Sequence, residues 1–318
     1  MASATTSVAA VLTGLSGSDF LSSADTTAQQ TAALLQLATQ LKRGERRIDL
    51  GNRVLGLIFT KASTRTRVSF QVAMALLGGQ TVDLNPQLTQ LGRGEPLEDT
   101  ARVLSRFCDV LAIRTFAQQE LADYAHWASI PVINALTDLE HPCQALADFL
   151  TMQEAFGDLQ GQTLAYVGDG NNVAHSLMLC GALLGVNVRI GCPEGFEPLP
   201  GVVDQARALS VGGAQISVIT DPVEAVRGAQ ALYTDVWASM GQEQEQAERE
   251  RAFQGFCLNE DLLAEADSRA IVLHCLPAHR GEEISAGVME GPSSRIFDQA
   301  ENRLHAQQAL LAALLGGL

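Results

Sequence analysis

The sequence predicts an α/β protein of two domains, each a parallel sheet flanked by helices. Three observations carry that prediction. The 318 residues exceed what one hydrophobic core usually fills, so two domains of about 150 residues each are expected. Short runs rich in Val, Ile and Leu alternate with longer stretches whose apolar residues recur at helical spacing, the pattern of repeated βα units. No internal repeat or low-complexity linker breaks the rhythm. The expected division is a first domain over 1–150, a second over 151–298, and a closing segment over 299–318.

Leu34, Leu37, Ala38 and Leu41 fall on one helical face, and Gly44 stops that helix. Val54-Leu55-Gly56-Leu57-Ile58-Phe59 reads as a buried strand. Val68 to Leu77 follows as a helix closed by Gly78-Gly79. Further strands are expected at 80–84, 109–114 and 131–136, with helical patterns between them. A helix around 143–155 ends near Gly157 and links the two halves. Strand 163–168, helix 171–185, strand 187–191, helix 201–210, strand 215–219, helix 221–228 and strand 231–235 then repeat the theme. Ile271-Val272-Leu273-His274 is the last strand, and a helix from about Glu301 to Leu315 closes the chain. The polar run from Gln242 to Arg251 reads as a solvated helix or a mobile loop. Ligands in parallel sheets sit beyond the carboxyl ends of strands, so the strand ends are where a site is sought.

The first such end is the most informative. Ser63-Thr64-Arg65-Thr66-Arg67 stands where a strand hands over to a helix, with unpaired N–H groups and the positive end of the helix dipole. Two hydroxyls and a guanidinium added there make a pocket for a small, doubly charged anion, most naturally a phosphate. The plain alternative is a capped helix start with solvated arginines.

Composition narrows the partners. A formal charge of -15 argues against nucleic acid and anionic membranes, which favour basic faces. At 47% hydrophobic and 18% charged, the chain has the make-up of a soluble α/β enzyme. Cys108, Cys143, Cys180, Cys192, Cys257 and Cys275 are scattered without C-x-x-C spacing, so neither a zinc site nor a disulfide framework is suggested and a reducing cytoplasm is the expected setting. The N-terminus lacks the basic and apolar parts of a secretory signal, and no run approaches a membrane span.

Five more clusters fall at strand ends: Arg114; His141-Pro142-Cys143-Gln144, with Pro suited to a first helical turn; Asn171-Asn172; Asp235 to Gly241; and His274-Cys275-Leu276-Pro277. Gly168-Asp169-Gly170-Asn171-Asn172-Val173 looks like a dinucleotide fingerprint only in part. Val173 replaces its third Gly, and Arg189-Ile190-Gly191-Cys192-Pro193 stands where an acidic residue should follow the next strand. A nicotinamide cofactor is therefore not expected.

The set Ser63-Thr64-Arg65-Thr66-Arg67, His141-Pro142-Cys143-Gln144, Asp235 with Ser239-Met240-Gly241, His274-Cys275-Leu276-Pro277 and Asp298-Gln299-Ala300-Glu301-Asn302-Arg303 resembles the ornithine branch of the aspartate/ornithine carbamoyltransferase family. The resemblance runs in the family's order from about residue 15 to the C-terminus. Gln90-Leu91-Gly92-Arg93-Gly94-Glu95 supports that branch, since the aspartate branch carries a lysine in this loop. Gln71 departs from the Glu of many relatives.

The resemblance implies a first domain for carbamoyl phosphate, a second for ornithine, and a C-terminal helix returning to the first. It implies a carbamoyl phosphate site from Ser63, Thr64, Arg65, Thr66, Arg114, His141, Pro142, Cys143 and Gln144, with Gln90 reaching in from a neighbouring subunit. It implies an ornithine site from Asn172, Asp235, Ser239, Met240, Cys275 and Leu276, with Arg303 near the carbamoyl end. The catalytic set would be Arg65, Arg114, His141, Gln144, Asp235, Cys275 and Arg303. No metal or organic cofactor is implied, and the assembly would be a homotrimer or a multiple of trimers.

Cys275 as a covalent nucleophile is the alternative to Cys275 as a group that positions the amine with Asp235. Direct attack is preferred, because an amine and carbamoyl phosphate react once aligned. Two rival functions are a carbamoyltransferase for putrescine or an N-acylornithine, and a catalytically silent binding paralogue. Retention of Asp235 and Ser239-Met240-Gly241 disfavours the first; intact Arg65, Arg114, His141, Asp235 and Cys275 disfavour the second.

Overall fold

The computed structural model describes residues 7–85, 94–238 and 246–318. Its contacts divide the chain into two units, Met1–Leu146 with Arg303–Leu318, and Ala147–Asn302. The end of the C-terminal helix thus belongs to the first unit. The divisions fall inside two helices, a few residues from the 150/151 and 298/299 boundaries expected from sequence.

The first unit opens with α1 (Val8–Leu12) and α2 (Ala28–Lys42). A capping box starts α2: the Thr27 hydroxyl accepts from the Gln30 N–H, and the Gln30 side chain accepts from the Thr27 N–H. Leu34, Leu35, Leu37 and Ala38 bury its inner face. Then follow β1 (Val54–Phe59), α3 (Arg65–Leu76), β2 (Gln80–Leu84), α4 (Leu97–Leu104), β3 (Val110–Arg114), α5 (Gln118–Trp127), β4 (Val132–Leu136) and the start of α6 (Pro142–Phe156). All four strands are parallel, in the order β2-β1-β3-β4. Interior β3 is apolar up to its final Arg114, as strands covered on both faces are, whereas β2 at the edge alternates polar and apolar residues.

The chain winds one way from β1 to β2 and the other way from β3 to β4. The switch point therefore lies between the carboxyl ends of β1 and β3, Phe59 and Arg114, which pair in register.

The second unit continues α6 and adds β5 (Thr163–Val167), α7 (Asn172–Leu183), β6 (Asn187–Gly191), α8 (Pro200–Leu209), β7 (Ile216–Ile219), α9 (Pro222–Val226), β8 (Ala231–Thr234), α10 (Gln246–Ala252), α11 (Glu260–Ala264), β9 (Ile271–His274), α12 (Ala286–Met289) and the first turns of α13 (Ile296–Leu314). Its strands are also parallel, in the order β7-β6-β5-β8-β9. Here the switch point lies between the ends of β5 and β8.

Two differences from the sequence reading have physical causes. α13 begins at Ile296, five residues before Glu301, because Gln299 and Asn302 are buried polar residues that break the apolar period. Gln299 accepts from the His274 N–H at 2.8 Å and donates to Asp148 at 2.6 Å; Asn302 donates to Thr151 at 3.0 Å. The described part of the polar 242–251 run is helical, as α10, and Arg249 in it is buried.

Candidate active site

In the first unit, β1 delivers the chain to the N-terminus of α3. Ser63 Oγ accepts from the Thr66 N–H at 3.3 Å, and Thr64 is the N-cap residue without a side-chain cap bond. The two arginines of the motif part company. Arg65 is exposed, whereas Arg67 pairs with Asp83 on β2 and lies 4.9 Å over the Phe59 ring. Arg67 is thus tied to the sheet, whereas Arg65 stands exposed at the first turn of α3.

The other cations come from distant parts of the sequence. Arg114 ends β3 and is buried. Arg303, on α13, is buried and donates to the Thr66 hydroxyl. His141 precedes α6 and is also buried. Burial first, then the guanidiniums of Arg303, Arg114 and Arg65, hold its imidazole well below the usual 6.5. One neutral ring therefore lies in the combined field of three guanidiniums.

Pro142 is the first residue of α6, and Gln144 is buried behind it. The Cys143 thiol turns away to the Asn134 carbonyl at 3.4 Å, and burial pushes it up to about 12. Its side chain is a buried structural thiol.

Sequence reasoning passed over two supports. Lys61 is buried, paired with Asp138 and 4.2 Å from the Phe116 ring centroid. Glu140 accepts from the Ser22 hydroxyl at 2.5 Å and the Ser23 N–H at 3.0 Å, anchoring the residue before His141. A buried Lys or Glu is rare unless partnered, but sequence alone does not tell which ones are buried.

The neutral state of His141 has a measurable consequence. Without ligand the folded ring stays unprotonated, while the unfolded chain takes up a proton as pH falls below about 6.5. The unfolded state then binds more protons, so this residue's share of stability is present above that pH and is lost as pH falls below it. Thermal melts at about pH 7.5 and about pH 5.5 should show wild type losing more Tm than His141→Gln. Equal losses would reject the assignment.

In the second unit, Asn171 and Asn172 follow β5 at the start of α7, Asp235 follows β8, and Cys275 follows β9. Asp235 and Cys275 are buried, and the Cys275 thiol donates to Asp235 Oδ1 at 2.9 Å. Oδ1 also accepts from the Val236 N–H at 2.8 Å, and Oδ2 accepts from the Asn171 amide at 2.9 Å.

Leu276 has a φ of 60°, a left-handed conformation unusual for a branched side chain. Its N–H donates to His274 Nδ1 at 2.8 Å, so Nε2 carries the proton and faces Glu283 Oε1 at 3.0 Å. The donor atoms of Asp235, His274 and Cys275 all lie within 4.8 Å of one another. With both nitrogens of His274 taken, what the cluster presents is a carboxylate and a thiol.

Gly170 explains the fingerprint-like turn. A Cβ there would lie 2.2 Å from the Pro198 nitrogen and 2.5 Å from the Glu197 carbonyl carbon. This G-x-G spacing serves the chain's own close packing. Gln90, Ser239 and Met240 lie outside the described residues. Among the described residues no helix is long and apolar enough to cross a membrane.

Comparison with known proteins assigns both halves. Residues 18–154 match the family described as aspartate/ornithine carbamoyltransferase, carbamoyl-P binding domain, and residues 160–314 match its Asp/Orn binding domain. The chain is 85% identical over 311 residues to an ornithine carbamoyltransferase of Prochlorococcus marinus (strain MIT 9313), covering 98% of each chain. It is 81% identical to that of Parasynechococcus marenigrum (strain WH8102), covering 100% of each. The crystal structure of ornithine carbamoyltransferase from Gloeobacter violaceus is similar with a TM-score of 0.87 at 58% identity, over 94% of this chain and 98% of that one.

Proposed function

The chain belongs to the aspartate/ornithine carbamoyltransferase family, and we infer that it works in the ornithine branch, moving the carbamoyl group of carbamoyl phosphate to the δ-amine of L-ornithine and releasing L-citrulline and phosphate. The observation that carries this reading is that Arg65 opens α3, Arg114 ends β3 at the first switch point, and Arg303 donates to the Thr66 hydroxyl of α3, with a neutral His141 in the field of all three. Phosphate binds at the α3 N-terminus through N–H groups, Ser63, Thr64, Thr66 and Arg65. The carbamoyl oxygen faces Arg65, His141 and Arg303, with Arg114 and Gln144 completing the cradle.

The δ-nitrogen lone pair attacks the carbamoyl carbon. Charge builds on the carbamoyl oxygen, where guanidiniums and a neutral imidazole N–H stabilise it. The bond from carbon to the bridging oxygen then breaks, and its electron pair leaves with phosphate, which can also take a proton from the amine. In the second unit Asp235 pairs with the ornithine ammonium, Cys275 sits beside it to position the amine, and Asn172, Ser239 and Met240 take the α-carboxylate.

An initial-rate assay for citrulline with carbamoyl phosphate, comparing ornithine, putrescine and acetylornithine, tests the assignment. Ornithine should be strongly preferred; no citrulline, or preference for another amine, would overturn it.

Direct attack also predicts the behaviour of Cys275→Ser. The hydroxyl still donates toward Asp235, so the variant should turn over while binding ornithine less well. A covalent route instead requires a carbamoylated enzyme to form without ornithine. Mass spectrometry of the enzyme with carbamoyl phosphate alone should find no carbamoyl adduct on Cys275.

The active assembly is a homotrimer or a multiple of trimers. Val68, Val72 and Leu76 form an exposed apolar stripe on α3 at four-residue spacing, with exposed Val82 on neighbouring β2, which supports burial of this face against another subunit. Gln90 would act in the neighbour's carbamoyl phosphate pocket. Mixing Gln90→Ala with Arg65→Ala chains, each nearly inactive, should restore activity at interfaces that join an intact Gln90 to an intact Arg65. No recovery despite verified hybrids would count against a shared site.

A further inference from the structure

We propose that Asn171 is a positioning residue for the amino-acid substrate: it turns the Asp235 carboxylate so that Oδ2 faces the ornithine ammonium. The inference rests on the assignment of Asp235 as the partner of that ammonium, and it begins from an asymmetry in how Asn171 is bonded.

Asn171 is the N-cap of α7. Its Oδ1 accepts from the Val173 N–H at 2.9 Å and the Ala174 N–H at 3.3 Å, with the Tyr166 hydroxyl a third donor at 3.4 Å. Tyr166 is fully buried, and burial, then Asp235, Asp169 and two cysteines, push its phenol well above 10, so it stays a donor. Reversing the amide would press its NH₂ against these donors. The side chain therefore has one sense, with Nδ2 toward Asp235 Oδ2 at 2.9 Å.

Asp235 is held from both sides. Oδ1 takes the Cys275 thiol at 2.9 Å and the Val236 N–H at 2.8 Å, which fills its two acceptor positions. Oδ2 takes the Asn171 amide and keeps one acceptor position. With donors on both oxygens the carboxylate cannot rotate freely, and the acceptor left for a substrate cation is the one beside Asn171. Because the amide sense is fixed by the N-terminus of α7, the helix itself sets the direction in which Asp235 offers its charge.

Capping and positioning make different chemical demands. Ser, Asp and Asn all supply a capping acceptor, but only Asn adds the amide donor that reaches Asp235. Asn171→Ser keeps the acceptor and deletes the donor. Asn171→Asp keeps a strong capping acceptor and sets a carboxylate against Asp235. A residue that merely capped α7 would tolerate both changes.

The test is steady-state kinetics with each substrate varied in turn, together with thermal melts. Both variants should melt within a few degrees of wild type. KM for ornithine should rise about 10- to 100-fold in Asn171→Ser, the size of a lost hydrogen bond to a charged group, and further in Asn171→Asp. KM for carbamoyl phosphate should move less than about 2-fold, a difference too small to register as a lost bond. Wild-type KM for ornithine in either folded variant would overturn the inference, as would equal rises for both substrates in step with a fall in Tm. If wild type itself made no citrulline, the functional reading would fall and this inference with it; an active wild type beside unaffected variants would sink this inference alone.

Discussion

Arg65→Gln is expected to lower kcat/KM by about 10³-fold or more, the scale of a lost oxyanion donor. Gln keeps a hydrogen-bonding end but loses the charge and the forked geometry that grips two oxygens at once. Arg65 stands at the first residue of α3 beside the N–H groups proposed to bind phosphate, and its charge also reaches His141 at the proposed carbamoyl end. A group that serves the phosphate in the ground state and the oxyanion in the transition state should show its loss in kcat as well as in KM. Arg67→Gln is the matched control. Arg67 is tied to Asp83 and Phe59, so its loss should cost about 0–1 kcal/mol of stability and little turnover. Near-normal kcat in Arg65→Gln, with only weaker carbamoyl phosphate binding, would remove Arg65 from the transition state. Equal loss in both variants would point to the loop rather than to Arg65.

Most of the parallel strands were legible because they are short apolar runs closed by Gly, Pro or a polar strand end, whereas edge β2 shows only an alternation. Val54 to Phe59 and Ile271 to Leu273 could hardly be anything else. What the sequence concealed was the fate of polar residues. Gln299 and Asn302 are buried and bonded inward, so the first turns of α13 lack the apolar stripe that marks a helix in sequence. Arg65 and Arg67 are equivalent as letters, and only the folded register of β2 puts Asp83 beside one of them. Cys143 sits inside a motif expected to bind a ligand, yet its thiol serves the Asn134 carbonyl. Asn171 and Asn172 were likewise indistinguishable by residue type. The difference emerges from helix phase, which makes Asn171 the cap and aims its amide at Asp235. Side-chain direction is a property of tertiary register, and local pattern does not contain it.

Asp235→Asn should be nearly as damaging as Arg65→Gln, but toward the other substrate. Asp235 is buried and accepts from three donors, two on Oδ1 and one on Oδ2. An amide at this position has one acceptor oxygen where the carboxylate has two, so its NH₂ must face either the Asn171 amide or the Val236 N–H. It also lacks the charge proposed to pair with the ornithine ammonium. Removing one partner of a buried, hydrogen-bonded charge pair costs about 2–5 kcal/mol, which sets the expected fall in kcat/KM for ornithine at about 10²-fold or more. Carbamoyl phosphate should still protect the variant against heat, because Ser63, Arg65, Arg114, His141 and Arg303 all belong to the first unit and none is altered. Thermal melts with and without carbamoyl phosphate, beside initial rates with ornithine varied, separate the two effects. An unchanged kcat/KM for ornithine would take Asp235 out of the reaction. Loss of carbamoyl phosphate protection would show instead that the substitution disturbs the first unit as well, and that the two substrates are not held by separate sets of residues.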